Sequence, residues 1–285
     1  MKVKKIAALL LAVLMVFTMA SCSKAASKKV KVIDIKLTDE EYAFGVKKDD
    51  PDLLEKVNEY VKQIKADGTL DAICNKYFGD GKKEGVVSAK LDSSKDQLVV
   101  ATNAAFEPFE YTEGGNEFYG IDMEIAAGLA KYLGKELVIS HMDFDSVCLS
   151  VSQGKADIAM AGLTVKEDRK EYVTFSESYY MASQKIVVME DDTTFDECKT
   201  AEDVEAVVKA MDKGTKAGCQ NGTTGYYYLT GDEDWGFEGF ANVNCVGYKN
   251  ASLAIQDVIN GNLKFVVVDE APAEFITAAL NKLNK

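Results

Sequence analysis

Short apolar runs and longer amphipathic stretches alternate along most of this chain, and glycine marks nearly every change. Leu98 to Ala101 predicts a buried strand, followed by a long loop through Gly115. Ile125, Ala126, Leu129, Ala130 and Leu133 then recur at helical spacing, with Asp122 as the expected cap and Gly134 as the stop. Leu137 to Ser140 predicts a strand, Asp145 to Gln153 a helix ended by Gly154, and Ile158 to Ala161 another strand. The rhythm returns later as helix 201–211, strand 217–219, a Gly/Thr loop, strand 245–248, helix 253–259, strand 265–268 and helix 272–283. Strands joined through helices by tight loops imply parallel pairing in α/β layers. Its recurrence predicts two such lobes.

The front of the chain has a different order. Val30 to Ile35 alternates Lys with apolar residues and predicts a strand, and Tyr42 to Val46 a second. Asp50-Pro51 opens a helix with the apolar stripe Leu54, Val57, Val61 and Ile64, ended by Gly68. Leu70, Ile73, Tyr77 and Phe78 mark a shorter helix stopped at Gly79. Residues 79–97, rich in Gly, Lys, Ser and Asp, make the best linker in the chain.

The N-terminus sets the compartment. Lys2, Lys4 and Lys5 precede an apolar run from Ile6 to Phe17, then small residues up to Ser21-Cys22, which makes residues 1–21 a signal peptide. The residues before Cys22 resemble a lipoprotein cleavage box, with Met19 where Leu is usual. Cys22 is the expected lipid attachment and residues 22–29 a polar tether. The formal charge of −13 becomes −16 once a leader with three lysines and no acid is removed. Such an acidic surface repels nucleic acid. With Cys22 acylated, Cys74, Cys148, Cys198, Cys219 and Cys245 remain, an odd number whose pairing stays open. No CxxC or Cys/His cluster exists and His141 is the single histidine, so neither metal nor cofactor is expected. His141 is read as structural.

From Leu98 onward the chain resembles the polar amino-acid binding proteins of ABC importers, bacterial extracellular solute-binding protein family 3. The segments that carry the resemblance are 100–109 (VATNAAFEPF), 120–122 (GID), 142–145 (MDFD), 153–170 (QGKADIAMAGLTVKEDRK), 175–180 (FSESYY), 220–225 (QNGTTG) and 267–272 (VVDEAP). The resemblance implies a two-lobed periplasmic-binding-protein-like α/β fold of type II, hinged by two crossover segments. The order departs from the family's. The stretch that usually closes such chains matches residues 37–42, 51–55, 66–70 and 77–79, at the front. We expect a circular permutation, with 79–97 bridging the ancestral ends. Residues 42–184 would then form lobe one, and 187–285 with strand 30–36 lobe two. Crossovers would lie near 36–42 and 183–188, and the tether would sit on lobe two.

A free amino acid brings a carboxylate, an ammonium and a side chain, and a closed site must pair both charges. Arg169, the single arginine beside 32 lysines, matches the family's carboxylate clamp. Asp269, at the end of an apolar strand, matches the ammonium partner and also suits a helix N-cap. Ala161, Gly162 and Thr164 follow another strand end, where backbone groups and the Thr164 hydroxyl would complete both charged ends. Thr223 and Thr224 would supply amides from lobe two; no P-loop lysine follows them. Phe106 and Phe144 match the aromatics that sandwich the ligand. Asn103 stands where Asp is frequent, which argues against a strict preference for lysine or arginine, with Glu107 and Gln220 as nearby polar groups. Glutamine, another polar amino acid and cystine stay open as ligands.

The expected function is transport: a monomeric receptor, held to the membrane by lipid, closes on a free polar amino acid and docks on an ABC permease. A sensing module for a signalling partner and a dehydratase-like enzyme are the alternatives. Glu107 is the spare acid an enzyme could use.

Overall fold

The computed structural model describes residues 28–284, so the expected signal peptide and Cys22 lie outside the described residues. The chain begins with β1 (Val30–Ile33) and crosses, through β2 (Glu40–Tyr42), into a first lobe. There β3 (Gly45–Lys47), α1 (Pro51–Ala66) and α2 (Thr69–Phe78) come first. After the short β4 (Val86–Val87) follow β5 (Gln97–Thr102), then β6 (Ala105–Phe106), β7 (Glu110–Tyr111) and β8 (Glu117–Phe118). The lobe ends with α3 (Ile121–Leu133), β9 (Glu136–His141), α4 (Val147–Ser152), β10 (Ile158–Ala159), α5 (Glu167–Lys170) and β11 (Val173–Phe175). Through β12 (Tyr180–Ala182) the chain returns to the lobe of β1. That lobe holds β13 (Gln184–Met189), α6 (Ala201–Lys209), β14 (Thr215–Gln220), α7 (Thr224–Thr230), β15 (Val243–Tyr248), α8 (Ala251–Ile259), β16 (Phe265–Asp269) and α9 (Glu270–Leu283).

Each lobe is built on one five-stranded sheet, ordered β11-β3-β10-β5-β9 in lobe one and β1-β13-β16-β14-β15 in lobe two. The two orders play the same roles. Three parallel strands (β10, β5, β9 or β16, β14, β15) form one side, as helical crossovers require. An antiparallel strand, β3 or β13, joins each sheet where the chain has just crossed over. A last strand, β11 or β1, closes the edge antiparallel to it. The crossovers pair as a ribbon, with Tyr42 opposite Tyr180 and Glu40 opposite Ala182. At the far end of lobe two, Asn281 of α9 clasps β1: its amide donates to the Val30 carbonyl (2.8 Å), and its carbonyl accepts from the Val30 N–H (3.0 Å).

Local chemistry accounts for the helices that frame the site. Asp50 caps α1 by accepting from the Leu53 N–H at 3.0 Å, with Pro51 in the first turn; such a cap contributes about 1 kcal/mol. Leu53, Val57, Val61 and Ile64 of α1 bury against lobe one, while Leu54 is only half-buried. Thr200 and Asp203 form a capping box at the start of α6.

Several expectations are corrected. Helix α3 begins at Ile121 with Gly120 at the cap position. Asp122 lies inside its first turn and turns its carboxylate away, to the Gly162 N–H and the Tyr179 hydroxyl. The first strand stops at Ile33, short of residues 35 and 36. Residues 42–46 divide between β2 and β3, and 145–153 between a 3-10 turn at Phe144–Ser146 and α4. The region read as a loop up to Gly115 contains β6 and β7, paired with Phe106 opposite Glu110. Within 79–97, β4 pairs with β8 along lobe one.

Candidate ligand-binding cleft

Both sheets aim the C-terminal ends of their parallel strands at the crossover ribbon, the position where open α/β sheets hold ligands. From lobe one, the segment after β10 places Gly162, Thr164 and, on α5, Arg169. Gly162 has φ +53°, and a Cβ there would lie 3.1 Å from the Phe106 ring and 3.3 Å from Tyr42; only glycine allows this backbone so close to two rings. Ala161 beside it is buried in a small apolar cluster with Val147, Cys148 and Val151.

Arg169 is buried. Its Nη1 donates to the Thr164 carbonyl (2.7 Å), its Nη2 crosses to the Gly222 carbonyl of lobe two (3.1 Å), and its guanidinium carbon lies 5.2 Å from the Phe144 ring centre. Among the described residues no carboxylate forms an ion pair with it. Gly222 opens the turn into α7, where Thr223 is the N-cap, accepting from the Tyr226 N–H and donating to the Gln220 carbonyl (2.8 Å). Thr224 accepts from Gln184 Nε2 at 2.7 Å.

Asp269 ends β16 and stands at the cap position of α9, but its side chain caps nothing. It accepts instead a hydrogen bond from the Tyr42 hydroxyl in the crossover. Burial first, and then the charge of Glu40, push its carboxyl up to about 7. Glu40 is itself buried and accepts from Thr38 Oγ1 (2.6 Å), Gln184 Nε2 (3.0 Å) and Thr164 Oγ1 (2.7 Å). Behind Gly162, burial also pushes Asp122 up to about 7, although Tyr179 and the Gly162 N–H favour its ionised form. Glu110, fully buried, is pushed up by burial and by Asp122 and Asp269, and among the described residues neither of its oxygens has a hydrogen-bond partner.

Asn103 reaches across the cleft. Its Nδ2 donates to the Met142 carbonyl (2.6 Å) and its Oδ1 accepts from Gln220 Nε2 (3.0 Å). Phe106 is buried against Phe109, 6.3 Å between ring centres, over the Gly162 turn. His141 accepts from the Ala104 N–H through Nδ1 (3.0 Å), which fixes the loop carrying Asn103.

The structure thus brings Arg169, Thr164, Gly162, Phe106, Phe144, Asn103, Gln220, Thr223, Thr224 and Asp269 to the walls where the lobes meet, while Ala161 packs into the core of lobe one. Glu107 stands apart from this group: it pairs with Lys83 of the linker at 3.0 Å and lines an outer groove with Asn250, Ile276 and Leu280 of lobe two. Sequence reasoning missed Glu40, Tyr42 and Gln184. All three lie in the crossovers, and the alternation of Glu40 and Tyr42, both buried around exposed Glu41, was the available signal. Cys219 and Cys245 lie on neighbouring strands with sulfurs 3.1 Å apart, beside Gln220. No metal-holding group of His, Cys, Asp and Glu occurs among the described residues, and no described helix is long and apolar enough to cross a membrane.

Two α/β lobes, two crossovers and opposed charges at the lobe junction define a two-lobed solute-binding protein. The chain belongs to the bacterial extracellular solute-binding proteins, family 3, whose model matches residues 5–80 and 98–230. It is similar to the arginine-binding extracellular protein ArtP of Bacillus subtilis (strain 168), 39% identical over 107 residues, 38% of this chain and 42% of that protein. The arginine-binding periplasmic protein of Mannheimia haemolytica is 29% identical over 177 residues, 62% of this chain and 65% of its own length. The chain therefore spans less than two thirds of these curated relatives. The arginine-bound form of a truncated ArgBP from T. maritima matches with a TM-score of 0.53 at 32% identity, over 65% of this chain and 78% of that one.

Proposed function

We propose that this chain is the extracytoplasmic receptor of an amino-acid ABC importer, closing its lobes around one free polar amino acid. One observation carries the reading. A buried guanidinium from lobe one and a buried carboxylate from lobe two meet the same junction, and among the described residues neither is neutralised by an ion pair. Thr164 stands between them, its carbonyl on Arg169 and its hydroxyl on Glu40. A zwitterion presents the complementary pair of charges, and desolvation makes each pairing strong. Asn103 brings no charge to the side-chain end, so the reading covers polar side chains without a strict preference for a cationic one. The arginine-binding relatives make L-arginine the first probe. Lipid attachment through Cys22 and docking on a permease belong to the same reading. No enzymatic role is proposed, because Glu107, the acid it would use, faces the linker.

A thermal-shift screen of the twenty amino acids tests the reading. A ligand at a hundred times its Kd adds about 2.7 kcal/mol, and at about 2–4 °C per kcal/mol for a chain of this size that is a rise of roughly 5–11 °C. If no amino acid raises the melting temperature, the reading fails.

The circular permutation is part of this proposal. In lobe one the chain leaves β10, forms α5 and returns as β11 at the sheet edge. In lobe two it leaves β16 and forms α9, and the matching edge strand is β1, clasped by Asn281. Joining Lys285 to Lys29 and opening the chain within 79–97 should give a folded protein that binds the same amino acid. A product that fails to fold or to bind would count against the permutation.

A further inference from the structure

We propose that Lys166 is an interlobe latch: its ammonium, carried by the same turn as Arg169, is gripped by Asp232, Tyr227 and Trp235 of lobe two and holds the lobes shut. The proposal rests on the amino-acid reading of the cleft and adds a residue that governs closure without touching the ligand. In the sequence Lys166 opens a charged stretch and looks like a solvated surface residue. The structure buries it: its side chain is 1% exposed, and that of its partner Asp232 is 7% exposed. The Lys166 ammonium lies 4.4 Å from the Tyr227 ring centre and 5.1 Å from that of Trp235. Within its own lobe its acidic neighbour is Asp168, at 3.7 Å and partly exposed.

The grip is braced on the lobe-two side. Asp232 accepts from the Trp235 N–H (3.1 Å) and bridges to Phe237 across a tight turn. Phe237 stacks on Tyr228, with ring centres 5.0 Å apart, and meets Phe240 of the lobe core. Tyr227 and Tyr228 lie on α7, the helix whose N-cap loop carries the Gly222 carbonyl that Arg169 reaches. On the lobe-one side, the Lys166 carbonyl accepts from the Lys170 N–H at 3.1 Å, so latch and clamp share one rigid turn.

Physical reasoning gives the latch its direction. Desolvated ion pairing and cation–π attraction exist only while the lobes touch, and opening returns both charges to water. Contacts made in one state alone shift the equilibrium toward that state. Lys166 therefore slows opening and holds Arg169 in register with α7. It acts as a positioning residue, and its removal should speed ligand release more than it slows ligand capture.

Trp235 is the single tryptophan of the chain and reports on the latch directly. The full mature chain, Lys166→Met and Asp232→Asn are compared by small-angle scattering and acrylamide quenching without ligand, and by stopped-flow release of L-arginine. Both variants should show a larger radius of gyration, a more quenchable tryptophan and L-arginine release about tenfold faster, with the association rate nearly unchanged. Wild-type radius, quenching and release rate in both variants would overturn the latch, as would lowered melting temperatures with unchanged release. If the wild type takes up no L-arginine, release is followed with the amino acid that the thermal screen selects; if none of the twenty binds, the amino-acid reading falls, and scattering and quenching decide the latch by the same criteria. Two variants on opposite lobes keep the test decisive if one fails to fold.

Discussion

Replacing Arg169 with alanine is expected to weaken amino-acid binding by a factor of about 100 to 4,000, the largest single loss in this protein. The guanidinium is buried, spans from the Thr164 carbonyl to the Gly222 carbonyl of the facing lobe, and rests over the Phe144 ring. Removing it strands the ligand carboxylate and two backbone carbonyls in a site closed to water. Truncating one partner of a buried charge pair costs about 3–5 kcal/mol, and each 1.4 kcal/mol is tenfold in affinity. Arg169→Lys keeps the charge but loses the planar fork, so it should recover only part of the loss. Titration calorimetry on both variants, with the amino acid that the thermal screen selects, measures the difference. Wild-type affinity in Arg169→Ala would remove the carboxylate clamp from this site.

The legibility of this site in the sequence follows the distance over which its residues cooperate. Arg169 stood out as the single arginine, Asp269 as an acid at the end of an apolar strand, and Thr223 and Thr224 as part of a Gly/Thr loop; each is a local signal. Phe144 and Gly162 could be placed because a motif fixed their neighbours. Glu40 could not. Its partners Thr164 and Gln184 lie 124 and 144 positions away, and only the fold brings a crossover acid into the cleft wall. Lys166 was hidden for the same reason, since the rings that bury it come from the other lobe. Asp122 was misread because an acid beside a glycine at a helix start looks like a cap; tertiary contacts to Tyr179 and Gly162 outweigh the local preference. Glu107 shared a motif with Phe106, but adjacent residues on an extended segment point apart, and Lys83 took it. Local pattern also gave the strand-and-helix alternation of both lobes. It could not show that the same arrangement of strands recurs in the two sheets, because β1 and β13 are separated by an entire lobe.

Acid should stabilise the unliganded protein and weaken its hold on an amino acid, with Asp269 responsible for both effects. Burial, and then the nearby charge of Glu40, raise this carboxyl from an ordinary 3.8 to about 7. A carboxyl raised on folding binds its proton more tightly in the folded chain than in the unfolded one. Its stabilising contribution is therefore complete below the unfolded value and is lost as pH climbs through 4 toward 7, by at most about 1.4 kcal/mol per unit. Asp122, also raised to about 7 by burial, shares that window, and Glu110 moves in the same direction. Asp269→Asn should accordingly flatten part of the pH slope of the melting temperature between about pH 4 and 7, leaving the share due to Asp122. Binding runs the other way. A ligand ammonium requires the ionised carboxylate, so uptake below pH 7 must first release a proton, and affinity should fall by up to about tenfold per pH unit. Asp269→Asn should lose most of the affinity and, with it, this pH dependence. Calorimetric melts of both proteins across the pH range, paired with ligand titrations of the wild type, separate the two effects. An unchanged slope in the variant would show that Asp269 is not the titrating group, and pH-independent binding in the wild type would take the ammonium away from it.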